Sequence, residues 1–192
     1  MRAVSDSLAL LALGANLSSS AGSPADALRA ALARISALRG VRLVAVSRFW
    51  RTPAHPAGSG PDYVNACAAA RVGPPAAALL AQLHGIEAAM GRERTTRWAA
   101  RGIDIDLLAM DDAVAPDAAV QDRWRALPPA EQARAVPGQL ILPHPRIQDR
   151  AFVLAPLAEI APRWTHPRTG RDAAAMLAAL GPAALAGMHP LP

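Results

Sequence analysis

The sequence predicts an α+β fold with a ferredoxin-like βαββαβ core, an antiparallel sheet with helices packed on it, and a C-terminal helical extension. Three observations predict this. Four short apolar or alternating runs bounded by Gly and Pro read as strands, and two longer stretches with apolar residues at helical spacing fall between them. Their order, strand-helix-strand-strand-helix-strand, is that of the split βαβ arrangement, with the helices expected on one face. The chain has 192 residues, 52% hydrophobic and 18% charged, which fits a single domain over 1–192 and excludes disorder.

Residues 8–13 form an apolar run ending at Gly14, a first strand buried on both faces. Ser23-Pro24-Ala25-Asp26 opens a helix: serine caps free amides, proline suits the first helical position, and aspartate complements the helix dipole. Leu28, Leu32, Ile35 and Leu38 give this helix its buried stripe, and Gly40 closes it. Residues 41–50 are a second strand, ended by Thr52-Pro53 because the residue before proline is pushed to extended geometry. Proline and glycine make 54–61 a loop, and 63–72 is a third strand. Pro74 and Pro75 start a helix through Met90, with Leu79, Leu83 and Ile86 on its apolar face and Gly91 as its stop. Ile103-Asp104-Ile105-Asp106-Leu107-Leu108 alternates strictly and is the fourth strand. Residues 111–139 read as a surface insertion with a short helix near 129–136. Residues 140–145 are extended, 149–161 a helix kinked at Pro156, and 172–180 a short terminal helix.

All 20 basic residues are arginine, against 15 acidic residues, for a formal charge of +5. The arginine fork matches phosphate and carboxylate alike, so the excess fits a nucleotide, a nucleic acid or an acidic surface, with compositional bias as the plainer source. Without lysine a P-loop is excluded, and no kinase glycine loop, paired metal-binding histidines or Gly-x-Ser-x-Gly turn supports covalent catalysis. Cys67 is the one cysteine and lies in an apolar run, so no internal disulfide forms. No run reaches the roughly 20 apolar residues of a membrane helix, and the expectation is a cytoplasmic monomer without membrane contact.

Residues two apart in a strand share a face, so Asp104 and Asp106 set two carboxylates side by side, roughly 7 Å apart along the chain. Magnesium takes one or two carboxylates and leaves its other positions to water and phosphate. The preceding loop holds Arg92, Arg94, Arg97 and Arg101, whose forks suit polyphosphate; a solvated charged run is the alternative. Thr52, Pro53, Tyr63 and Asn65 flank the 54–61 loop, where tyrosine could stack on a planar ring and asparagine could read a heterocycle edge; a core tyrosine and a turn asparagine are the plainer reading of these residues alone. His144, between two prolines, has a rigid setting that could hold its ring against phosphate; a solvated loop histidine is the alternative.

Five motifs occur in order: Leu13-Gly14-Ala15-Asn16-Leu17, Arg51-Thr52-Pro53, Asp62-Tyr63-Val64-Asn65-Ala66, residues 87–108, and Pro143-His144-Pro145-Arg146 leading to Arg150-Ala151-Phe152-Val153-Leu154. Together they resemble the 6-hydroxymethyl-7,8-dihydropterin pyrophosphokinases of folate biosynthesis, from the first strand to about His166. The resemblance implies a pyrophosphokinase-like domain that moves the terminal two phosphates of ATP to the hydroxymethyl oxygen of the pterin, leaving AMP. It implies two magnesium ions on Asp104 and Asp106, and Arg92 and Arg101 as phosphate clamps on a mobile loop. Thr52, Pro53, His55, Tyr63, Asn65, Trp98 and Phe152 would line a pterin pocket. His84, Glu87, Arg92, Arg94, Trp98, Arg101, Leu107, His144 and Arg150 would contact ATP. The chain departs from the family pattern at Ala15, Ala99-Ala100, Gln139 and Ile141.

Two alternatives remain at this stage. One is a relative with an altered acceptor. The other is a basic ferredoxin-like module that binds RNA, against which two phenylalanines and one tyrosine leave little for a stacking platform.

Overall fold

A computed structural model describes residues 6–54, 60–91, 102–128, 131 and 134–192. The core elements follow the expected order: β1 (Ser7–Ala15), α1 (Pro24–Ser36), β2 (Val41–Val46), β3 (Trp50–Thr52), β4 (Tyr63–Val72), α2 (Ala76–Ala89) and β5 (Asp104–Met110). The sheet runs β5-β1-β4-β3, with β2 also beside β4, and every one of these pairings is antiparallel. The ferredoxin-like core is therefore present, with its second strand divided into β2 and β3. Three residues lie between Val46 and Trp50, but only two between their partners Ala68 and Asn65, so one residue must bulge. Ser47 spans the break: its N–H donates to Cys67 O and its Oγ accepts from Cys67 N–H, both at 2.9 Å.

Local chemistry sets the helix ends. Ser23 and Asp26 form the reciprocal capping box, Ser23 Oγ accepting from Asp26 N–H and Asp26 accepting from Ser23 N–H. The chain turns back after α1 through Gly40 at φ 76°, a conformation that glycine adopts without penalty.

The helices do not occupy one face only. Leu11, Leu13, Ile105 and Leu107 pack under α1 and α2, with Leu28, Ile35, Leu79 and Leu83 opposite. The other face carries Leu10, Cys67, Ala69 and Leu108, and it is covered by α4 (Ala151–Ile160) and α5 (Ala173–Leu180) through Val153, Leu154, Leu157, Ala173 and Met176. The C-terminal extension is thus the third layer of an α/β/α sandwich. Both β1 and β4 are apolar on both faces, so the sheet needs cover on each side.

The insertion also differs from expectation. Its described helix is α3 (Ala118–Ala126), N-capped by Asp117, whose Oδ1 accepts from Val120 N–H at 2.9 Å. Much of the expected helix near 129–136 lies outside the described residues. Nor is the segment wholly a surface excursion, since Gln121 is fully buried and Ala115 pairs with Leu142. A short strand, β6 (His189–Pro190), adds to the outer side of β3. Among the described residues no helix is long and apolar enough to cross a membrane.

One side chain ties α4 to the strand break. Glu159 accepts from Arg48 N–H, Nε and Nη2 and from Trp50 Nε1, at 2.7–3.1 Å. Arg48 is largely exposed, so its ion pair adds little, whereas the indole and backbone donors are left without this partner when the carboxylate goes. Glu159→Ala is expected to lower unfolding free energy by about 1–3 kcal/mol in urea titrations, and a change below about 0.5 kcal/mol would rule this clasp out.

Candidate active site

Strand register brings the polar residues into rows. Asp104 pairs with Gly14, Gly14 with Asn65, and Asn65 with Trp50, so four strands contribute to one line across the sheet. The next row on the same face joins Asp106, Ala12 and Cys67. This is the face that α4 covers further along, where Leu10, Ala69 and Leu108 lie. A single sheet surface therefore passes from apolar core to a polar, partly open end.

On β5 the alternation read from sequence holds in space. Ile105 and Leu107 are buried under the helices, while Asp104 and Asp106 are half-buried on the opposite side. Arg150, at the N-terminal end of α4, places Nη1 3.8 Å from Asp106 Oδ2 and lies over the Phe152 ring at 5.7 Å from its centroid. Phe152 is one of the few exposed large apolar side chains, as a stacking surface requires.

Across the row from Asp104, Asn65 donates from Nδ2 to Thr52 Oγ1 at 2.6 Å, and Thr52 is 3% exposed. A Cβ added at Gly14 would come within 2.7 Å of Asn65 Oδ1, so any larger residue there would displace that carboxamide. Tyr63, paired with Thr52, is half-buried, and Pro53 is exposed. Asn16 of the first motif donates to Pro61 O at 3.3 Å, joining the end of β1 to the segment before β4.

His144 N–H donates to Leu108 O at 2.7 Å, which lashes the Pro143–Pro145 turn to β5. Its Nδ1 accepts from Arg146 N–H at 3.2 Å, leaving Nε2 to carry the proton of the neutral ring. Burial pushes the imidazole down to about 3 from its ordinary 6.5, and the charges of Arg150 and Arg146 add to this against a smaller opposing pull from Asp104.

Glu87, 1% exposed, accepts from Ile105 N–H at 2.7 Å, anchoring α2 to the outer edge of β5 between the two aspartates. His84 stands half-buried one turn earlier on α2. Leu107 puts its side chain into the core beneath α1 and α2. His55, Arg92, Arg94, Trp98 and Arg101 lie outside the described residues. Among the described residues no group of three or more His, Cys, Asp or Glu side chains forms a metal cage, but two carboxylate donors on an open face fit a hard cation that completes its shell with phosphate and water.

Three contributors carry no signal in the sequence. β6 supports β3 from outside, and Gly187 packs so closely on Pro53 that an added Cβ would lie 2.9 Å from Pro53 Cγ. Gln121 donates to Pro143 O, although nothing in the pattern of the insertion marks that residue for burial.

The neutral state of His144 has a pH consequence. Between about pH 6.5 and 3 the unfolded chain binds a proton at this residue and the folded chain does not, so stability falls as pH drops through that window. Relative to His144→Asn, which does not titrate, metal-free wild-type protein is expected to lose stability on acidification, by at most about 1.4 kcal/mol per pH unit. A difference that stays flat from pH 7 to 4 in urea unfolding would contradict a neutral, half-buried histidine.

Comparison with known proteins places these residues in context. Residues 10–162 match the family model of 7,8-dihydro-6-hydroxymethylpterin-pyrophosphokinase. Proteins named 2-amino-4-hydroxy-6-hydroxymethyldihydropteridine pyrophosphokinase are similar over most of the chain. The Synechocystis sp. protein is 37% identical, covering 85% of this chain and 71% of the relative. That of Methylorubrum extorquens is 37% identical over 80% and 82%, and that of Pseudomonas aeruginosa 36% over 88% and 89%. The solved wild-type HPPK-DHPS of Plasmodium falciparum superposes with a TM-score of 0.62 at 14% identity, covering 90% of this chain, which shows a shared fold. This chain spans 44% of that longer one.

Proposed function

Because the chain belongs to the 7,8-dihydro-6-hydroxymethylpterin-pyrophosphokinase family, we propose that the open end of its sheet is where pyrophosphate passes from ATP to 6-hydroxymethyl-7,8-dihydropterin in folate biosynthesis. The observation that carries this reading is the meeting of Asp104, Asp106, Arg150 and His144 at the polar end of a face whose other half is core.

The hydroxymethyl oxygen attacks the β-phosphorus of ATP. The bond from that phosphorus to the oxygen bridging the α- and β-phosphates breaks, AMP leaves with the bridging oxygen, and the hydroxyl proton passes to solvent. Direct in-line transfer of this kind asks the protein for positioning and charge neutralisation rather than a nucleophile. Asp104 and Asp106 hold magnesium, two ions by the family resemblance, which when bound supplies positive charge to the phosphates.

The chain's own groups divide the remaining work. Arg150, already drawn towards Asp106, offers its fork to phosphate, and the neutral His144 offers Nε2–H as a donor. Arg92 and Arg101 clamp the phosphates, with Arg94 and His84 as further nucleotide contacts. Trp98 and His55 join Thr52, Pro53 and Asn65 around the pterin, with Tyr63 and Phe152 against its ring faces. Glu87 and Leu107, which the resemblance implies as ATP contacts, have buried side chains, so Glu87 serves the nucleotide side by holding β5 in place through Ile105 and Leu107 by its place in β5. An RNA-binding role finds no support in the family match.

Incubation with magnesium, ATP and the pterin alcohol is expected to release AMP only when the pterin is present; ADP release, or AMP release independent of pterin, would overturn the reading. Asp104→Ala and Asp106→Ala are each expected to lower kcat by at least about a thousandfold while far-ultraviolet circular dichroism is unchanged. Near-normal turnover in either variant would remove the metal assignment.

A further inference from the structure

The insertion meets the nucleotide side of the site at the turn around Pro143. From α3, the fully buried Gln121 donates through Nε2 to Pro143 O at 3.2 Å. The residues on either side of Pro143 are held as closely: Leu142 exchanges both backbone hydrogen bonds with Ala115, at 2.9 and 3.1 Å, and His144 N–H donates to Leu108 O on β5. Three consecutive residues of this turn are therefore fixed, two of them by the insertion and one by the strand that carries the aspartates.

The helix that presents Gln121 is itself pinned. Asp117 caps its start, and Asp122 accepts from Arg168 Nη2 at 2.6 Å and Nε at 3.2 Å and from Arg125 Nη2 at 2.9 Å. Arg168 lies beyond α4, so α3 is tied to the C-terminal layer as well as to the turn. Burying a polar amide costs free energy unless it is bonded; Gln121 Nε2 is bonded to the Pro143 carbonyl, while its Oε1 is buried without a hydrogen-bond partner among the described residues, so the bond to the turn is what offsets its burial and sets the helix-to-turn distance. An apolar residue of similar size would fill the space without fixing the turn.

Resting on the pyrophosphokinase reading above, we propose that Gln121 is a positioning residue: the insertion helix holds the Pro143–His144 turn against β5 and thereby sets the enzyme's grip on ATP. Pterin binding, built on β3, β4 and the start of α4, does not depend on that contact.

Gln121→Leu removes the donor and keeps the volume, and Arg168→Met loosens the outer anchor of α3 without touching the turn. In Gln121→Leu the KM for ATP is expected to rise about fivefold, the worth of one such hydrogen bond, with the KM for the pterin within a factor of two. Amide hydrogen exchange at His144 and Ile147 is expected to quicken by about the same factor while β1 and β4 amides keep their rates. Arg168→Met is expected to shift both readouts in the same direction by less. Unchanged ATP KM and unchanged exchange at His144 would overturn the proposal. So would a joint rise of both KM values with faster exchange throughout the sheet, because that would mark general loosening. A wild-type enzyme that releases no AMP with pterin would sink the parent reading instead, and exchange at His144 would still decide whether Gln121 holds the turn.

Discussion

The structure depends on where α4 begins. The face of the sheet formed by Leu10, Cys67, Ala69 and Leu108 is dry because Val153, Leu154 and Leu157 lie on it. The same strands continue past the start of α4, and there the inward positions change to Gly14, Asn65, Asp104 and Asp106. Asp104 and Asp106 are tolerated there because they are only half-buried, and buried Asn65 because it is bonded to Thr52; all are rigid because the rows behind them are packed core. The thiol of Cys67, one row behind Asn65, is pushed up by burial, with Glu159 adding to it, and is thereby an inert core group. A site built on strands in this way inherits the precision of the sheet.

Charge then decides what the open end can hold. Two carboxylates two residues apart repel unless cations intervene, and the chain supplies Arg150 on one side while keeping His144 neutral. A cationic His144 would lose the bond its Nδ1 accepts from Arg146. On the proposed reading, the arrangement suits a polyanion with its metal rather than a bare anion, which two aspartates would repel.

What was legible in the sequence was whatever is encoded locally. Ser23-Pro24-Ala25-Asp26 specifies its helix start through short-range bonds, and period-two alternation puts Asp104 and Asp106 on one face whatever surrounds them. Ser47, which divides the second strand, acts through Cys67 twenty residues away and leaves no periodic trace. The second helical layer was read as an extension rather than a cover because α4 is apolar on most sides and does not announce which face it buries. β6 is two residues long, and Gln121 is a polar residue buried for one distant carbonyl, so neither has a signal in composition or period. At the site, Asn65 and Thr52 taken singly read as a turn and a strand end; only strand register shows that they bond each other beside Gly14.

Metal binding tests the centre of this account without relying on turnover. Manganese, whose free-ion paramagnetic resonance signal is lost on binding, can be titrated into the protein with an ATP analogue that cannot be cleaved between its α- and β-phosphates. Wild-type protein is predicted to bind manganese beyond what the analogue takes alone, and Asp104→Asn and Asp106→Asn to lose that increment while staying folded. Equal binding by the wild type and both variants would contradict the assignment of the paired aspartates, and with it the reading of the sheet's open end as the catalytic centre.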